Sequence, residues 1–74
     1  MKWNQQDGML VAETDHGQYA IYRKDPEGPD RTFRVRLNSG DDEHTMEGEH
    51  DSIVGARESA EADLEYRISV WEKL

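Results

Sequence analysis

In the run Arg31-Thr32-Phe33-Arg34-Val35-Arg36-Leu37, polar and apolar side chains alternate without a fault from Thr32 onward. Successive side chains on a strand point to opposite faces, so Phe33, Val35 and Leu37 share one face and Thr32, Arg34 and Arg36 share the other. Such a strand is half buried. Whatever this chain folds into must cover one side of a sheet with an apolar layer and leave the other side wet.

Two earlier runs can pair with this strand. Met9 to Thr14 reads as a first strand. Gln18 to Arg23 alternates, with Tyr19 and Ile21 facing one way and Gln18, Ala20 and Tyr22 the other. Asp15-His16-Gly17 between them is a turn signal, with a glycine free to take positive φ. The breaker-rich segment Asp25-Pro26-Glu27-Gly28-Pro29-Asp30 separates the second run from the third. Runs this close in sequence pair most economically as an antiparallel meander. Asn38 to Glu43 reads as a loop. His44 to His50 reads as a short fourth edge strand, whose charges discourage pairing with another chain.

The apolar cover comes from the C-terminal third. Ser52 opens a helix as N-cap, with Asp51 as the competing cap, and the helix runs to about Glu72. At about 100° per residue, Ile53, Ala56, Ala60, Leu64, Ile68, Trp71 and Leu74 form one stripe. Ala56 and Ala60 permit close approach to a sheet, and Leu64, Ile68 and Trp71 supply bulk. Trp3 and Trp71, near the two ends of the chain, are expected to pack together and close the domain. Tyr66 lies off the stripe and is a candidate interface anchor. The expected fold is a single small α+β domain over residues 1–74. It has a three- or four-stranded antiparallel sheet followed by one long C-terminal helix packed on one face.

Composition narrows the function. The chain has no cysteine, so neither a disulfide nor a thiolate metal site can form. His16, His44 and His50 match no metal-ligand spacing. The segment from Glu43 to Val54 places Gly48 as a calcium loop would. It carries Glu rather than Asp first and Val rather than Glu twelfth. There is no G-x-S-x-G and no Gly-rich phosphate loop. So small a core has little room for a substrate cleft of the usual ~300 Å³ or more. The chain therefore reads as a non-enzyme, with no catalytic residue, metal or cofactor. No apolar run approaches the ~18 residues that span a membrane, and Met1 to Gln6 lacks the apolar stretch of a signal peptide. The expectation is a cytoplasmic protein without membrane contact.

The charge is the strongest compositional fact. Seventeen acids against nine bases give −8. Residues 1–37 hold six of each, so the whole excess lies in residues 38–74, where eleven acids face only Arg57, Arg67 and Lys73. On the helix, Glu58, Glu61, Glu65 and Glu72 form a second stripe beside the apolar one. The residues four positions after Glu58, Glu61 and Glu65 are Ala62, Glu65 and Ser69, so no base offsets them there. Asp63 and Arg67 make a favourable pair elsewhere on the helix. Asp41, Asp42, Glu43, Glu47, Glu49 and Asp51 add six acids in eleven residues without one Lys or Arg.

Two readings of these acids compete. In one they are a solvated face. In the other they stand in for nucleic-acid phosphates, which recur every ~3.4 Å along a DNA strand. The successive rises between the four helix acids are of similar scale, about 4.5, 6 and 10.5 Å. The second reading makes Asp41, Asp42, Glu43, Glu47, Glu49, Glu58, Glu61 and Glu65 the candidate partner-binding residues. The partner would be a protein with a basic, nucleic-acid-binding surface, met by a monomer or homodimer of this chain. A third reading uses Arg23, Lys24, Arg31, Arg34 and Arg36 beside Tyr22 to hold a single strand. A net −8 opposes direct nucleic-acid binding.

The pattern Leu10-x-Ala12-x-Thr14-x-x-Gly17-x-Tyr19-x-Ile21, then Phe33-x-Val35, then Ser52-x-x-x-Ala56-x-x-x-Ala60-Glu61-Ala62-x-Leu64 resembles small domains common in prophages of proteobacteria. Among small acidic phage proteins it is most similar to anti-CRISPR proteins of the type I-C inhibitor group. The resemblance implies a phage-encoded inhibitor that binds a type I surveillance complex (Cascade) and blocks target DNA by imitating its charge. It implies no catalytic residue. The acidic stretch from Asp41 to Asp51 departs from the prophage pattern. The alternative is a small prophage interaction domain whose acids serve solubility alone.

Overall fold

A computed structural model describes residues 1–29, 31–46 and 48–73. It has five strands and one helix: β1 (Asn4–Gln6), β2 (Met9–Thr14), β3 (Gly17–Arg23), β4 (Phe33–Ser39), β5 (Asp42–Thr45) and α1 (Ile53–Glu72). The strands form one antiparallel sheet in chain order, β1-β2-β3-β4-β5, with α1 across one face. The expected α+β architecture is present, with five strands instead of three or four.

Short turns set the registers. Gln6 pairs with Met9 across Asp7-Gly8, both at positive φ (51° and 78°), the conformation that a two-residue primed turn requires. Thr14 pairs with Gly17 across Asp15-His16, and the Thr14 hydroxyl caps that turn by donating to the Gly17 carbonyl (2.7 Å) and accepting from the His16 amide (3.1 Å). Ser39 pairs with Asp42 across Gly40-Asp41, with Gly40 at φ 61°. Residues 38–43 are therefore a tight hairpin, and not the loop expected from their polarity. Regular pairing of β5 stops at Thr45; the Met46 amide still bonds the Val35 carbonyl, and His50 rejoins β4 through a bridge to Phe33.

Alternation then sorts the side chains as the sequence indicates. Tyr19, Ile21, Val35 and Leu37 point to the helix and are buried with Ala56 and Ala60. Trp3, Leu10, Phe33, Met46 and Leu64 pack around this cluster. Fully buried Ala56 and Ala60 explain the close seat of the helix: a larger side chain at either position would lift it off β3 and β4. Ser52, not Asp51, is the N-cap; its hydroxyl accepts from the Gly55 amide at 3.1 Å.

Of the stripe expected to face the core, only Ala56 and Ala60 are buried and Leu64 partly so; Ile53 at its start is 40% exposed. A 20-residue helix is about 30 Å long, whereas the seven-residue strands beneath it reach about 24 Å. Its C-terminal end therefore overhangs the sheet. Trp71 is 69% exposed and Ile68 39%, and Tyr66 and Val70 are exposed beside them. Trp71 does not meet Trp3 as expected: it makes an edge contact with His16 of the β2–β3 turn, ring centres 6.4 Å apart, while Trp3 packs on the core cluster. Leu74 lies outside the described residues.

Candidate acidic interface

The helix meets the sheet through Ala56, Ala60 and Leu64 together with a polar clamp. The hydroxyl of fully buried Tyr19 donates to Asp63 Oδ2 (2.5 Å), and Arg67 Nε donates to the same oxygen (2.7 Å). Burial, then the hydrogen bond to the Asp63 carboxylate, then its charge, push the Tyr19 phenol well above its usual range. Arg67 is raised as well, first by its hydrogen bond to Asp63. The Asp63–Arg67 pair thus belongs to the sheet-facing side of α1. Sequence reasoning recognised the pair but not its place. The available signal was Tyr19, an inward-facing tyrosine whose hydroxyl requires a partner when buried.

This clamp fixes the rotation of the helix and so the direction of its acids. At about 100° per residue, Glu58, Glu61 and Glu65 stand about 120–180° from the centre of the sheet-facing group. They occupy the outer face of the helix, farther from the core than a stripe beside the apolar one. Glu58 and Glu65 are exposed and Glu61 is half-buried. Arg57 lines a shallow groove with Val54, Glu58 and Glu61, yet no ion pair joins it to either carboxylate.

The eight candidate residues separate into groups. Among the described residues, Asp41, Asp42, Glu58, Glu61 and Glu65 have no ion pair. Asp41 and Asp42 form the exposed tip of the β4–β5 hairpin. Neighbouring Ser39 shares a groove with Trp71 and Glu72, which puts the tip at the same end as the C-terminus of α1. Glu43 and Glu49 are compensated. Glu43 sits 3.6 Å from Arg36 on the sheet face away from the helix, and Glu49 sits 2.6 Å from Lys24. Glu47 lies outside the described residues. Neutralisation of the helix acids by Arg31, Arg34 or Arg36 does not occur: among the described residues Arg31 and Arg34 make no ion pair, and Arg36 pairs with Glu43.

Besides a groove of about 340 Å³ lined by Glu13, His16, Leu64 and Ile68, two further open grooves are larger than a core of this size was expected to provide. One, of about 360 Å³, is lined by Met9, Leu10, Ile21, Phe33 and Ile53. The other, of about 610 Å³, lies under the helix overhang between His16, Arg67 and Trp71. Among the described residues no group of three His, Asp or Glu side chains could hold a metal ion. No described helix is long and apolar enough to cross a membrane. Compared with known proteins, the chain matches no family model, no curated protein and no solved structure.

Proposed function

We propose that this protein is a binding domain that occupies a basic, nucleic-acid-binding surface of another protein through the outer face of α1. The observation that carries this reading is the row Glu58, Glu61 and Glu65, which points away from the sheet and has no ion pair among the described residues. Uncompensated carboxylates on a rigid helix keep their charge available to a partner. They steer encounter with a positive groove, and salt weakens that steering. Asp41 and Asp42 extend the negative field at one end of the molecule.

The specific form of the proposal follows the resemblance to phage inhibitors: the partner is a type I Cascade complex, and the helix acids compete with target DNA for its basic channel. The test is DNA occupancy of a purified effector titrated with the protein. Occupancy is expected to fall as protein is added and to recover with salt. Unchanged occupancy at saturating protein removes the Cascade assignment.

A second reading has its own observation. Tyr66 and Trp71, each 69% exposed, project from the helix overhang and suit an aromatic contact in which the acids only confer solubility. The triple variant E58K/E61K/E65K separates the two. It abolishes binding in the first reading and leaves it nearly unchanged in the second.

A further inference from the structure

Among the described residues no helix lies over the sheet face opposite α1, and the side chains of that face are arranged in three rows. Cross-strand pairing places Glu13, Gln18, Asn38 and Glu43 in one outer row. Asn4, Val11, Ala20, Arg36 and Thr45 form the middle row. Tyr22 and Arg34 lie in the other outer row. Acids mark one end of the face, arginines the middle and other end, and the centre is apolar. Val11 and Ala20 are only 6% and 1% exposed although no described helix or strand lies over them. Arg36 lies with its guanidinium carbon 5.4 Å from the Tyr22 ring centre, and Nε of both Arg34 and Arg36 is buried without a hydrogen bond.

Within the chain this face is incompletely satisfied. Among the described residues Arg34 and Glu13 make no ion pair, and the Glu13 carboxylate accepts a hydrogen bond from the side-chain amide of Gln18 (2.9 Å). The two charges sit on opposite sides of Ala20, one strand and two residues away in each direction. A two-fold axis that lies parallel to the face above Ala20, perpendicular to the Glu13–Arg34 line, therefore brings Glu13 of one copy over Arg34 of another, twice. The same operation carries Val11 toward Tyr22 of the second copy. An isologous interface demands this kind of self-complementarity.

We propose that the open sheet face is a homodimer interface, in which Glu13 and Arg34 pair across a two-fold axis and α1 stays on the outside of each copy. The five strands span about 19 Å between the axes of β1 and β5, and the outer rows are about 14 Å apart. These spacings enclose about 270 Å², and even with side-chain relief the face stays below the ~800 Å² per partner of a standard interface, so the dimer expected is a weak one held by its charge pairs. Nucleic acid is the poorer occupant: the chain carries −8, and Glu13 and Glu43 would face the phosphates. The dimer presents both acidic helix faces outward, so it does not depend on the proposed partner.

The test is sedimentation equilibrium over a concentration series at low and high salt, on the intact chain and on E13R, R34E and E13R/R34E, with circular dichroism to establish folding. The expected result is a dimer that salt weakens, that each single reversal dissociates, and that the double reversal restores. A monomer at every concentration overturns the proposal, as does a dimer indifferent to R34E or a double variant that stays monomeric. A labelled oligothymidylate is titrated in parallel. Binding of it that R34E abolishes also overturns the proposal, in favour of a nucleic-acid site. If a variant fails to fold, the mass of the unaltered protein against concentration and salt still decides.

Discussion

Replacing Tyr19 with phenylalanine removes one oxygen and nothing else from the packed core, which makes it the cleanest probe of how α1 is held. The lost hydroxyl donates to a carboxylate, and a hydrogen bond to a charged group contributes about 1.5–3 kcal/mol. Asp63 keeps Arg67 at 2.7 Å and retains some solvent contact, so the loss belongs at the low end, about 1.5 kcal/mol. In a domain of this size that lowers Tm by about 6–12 °C. The alkaline limb gives an independent sign. The folded state holds the Tyr19 phenol protonated, with its pKa raised above the unfolded value of about 10. Its contribution is thus fully present below pH ~10 and declines as pH rises beyond it, with a slope of up to about 1.4 kcal/mol per pH unit. Thermal melts of the unaltered protein and Y19F from pH 7 to 11 measure both effects. The gap between them should be widest at neutral pH and narrow above pH ~10. Equal Tm values at pH 7, or a gap that widens with pH, would refute the clamp.

Three other substitutions probe the remaining supports, and a fourth, on the overhang, is their control. Gly17→Ala places a Cβ 2.4 Å from the Asn38 carbonyl oxygen at a φ of 128°, so chemical denaturation should show a loss of about 2–4 kcal/mol. Ser52→Ala removes the helix cap and should cost about 1 kcal/mol in the same assay. Ala60→Leu fills the contact between α1 and the sheet and should lower stability by about 1–3 kcal/mol, whereas Trp71→Ala, on the overhang, should change it by less than about 0.5 kcal/mol.

The legible parts of the fold were those where burial imposes a period. β2, β3, β4 and the helix carry core-facing residues at spacings of two or near 3.6, and their faces follow directly. β1 carries no such imprint, because Asn4-Gln5-Gln6 is exposed on both faces. Its trace lay in the turn: Asp7-Gly8 is a strong hairpin signal when a strand follows at Met9. β5 began earlier than its composition indicated because the Gly40 turn, not hydrophobicity, sets its register. Trp71 was misplaced for a different reason. Helical periodicity reports which residues share a stripe, but not where the opposing sheet ends.

The acids show the same division. Their clustering is visible in the sequence, and so is the lack of bases four residues after Glu58, Glu61 and Glu65. Their compensation is not, because Lys24–Glu49 and Arg36–Glu43 join residues that only the sheet brings together. The direction of the helix row was likewise hidden, since it depends on Tyr19 capturing Asp63 from 44 residues away.

The most direct measurement of the central claim is the affinity of the protein for a purified type I effector, determined with and without reversal of Glu58, Glu61 and Glu65, at two salt concentrations. An outward, uncompensated carboxylate row predicts tight binding at low salt, weaker binding at high salt, and none for the reversed protein. Equal affinity for both proteins, or binding indifferent to salt, would contradict it.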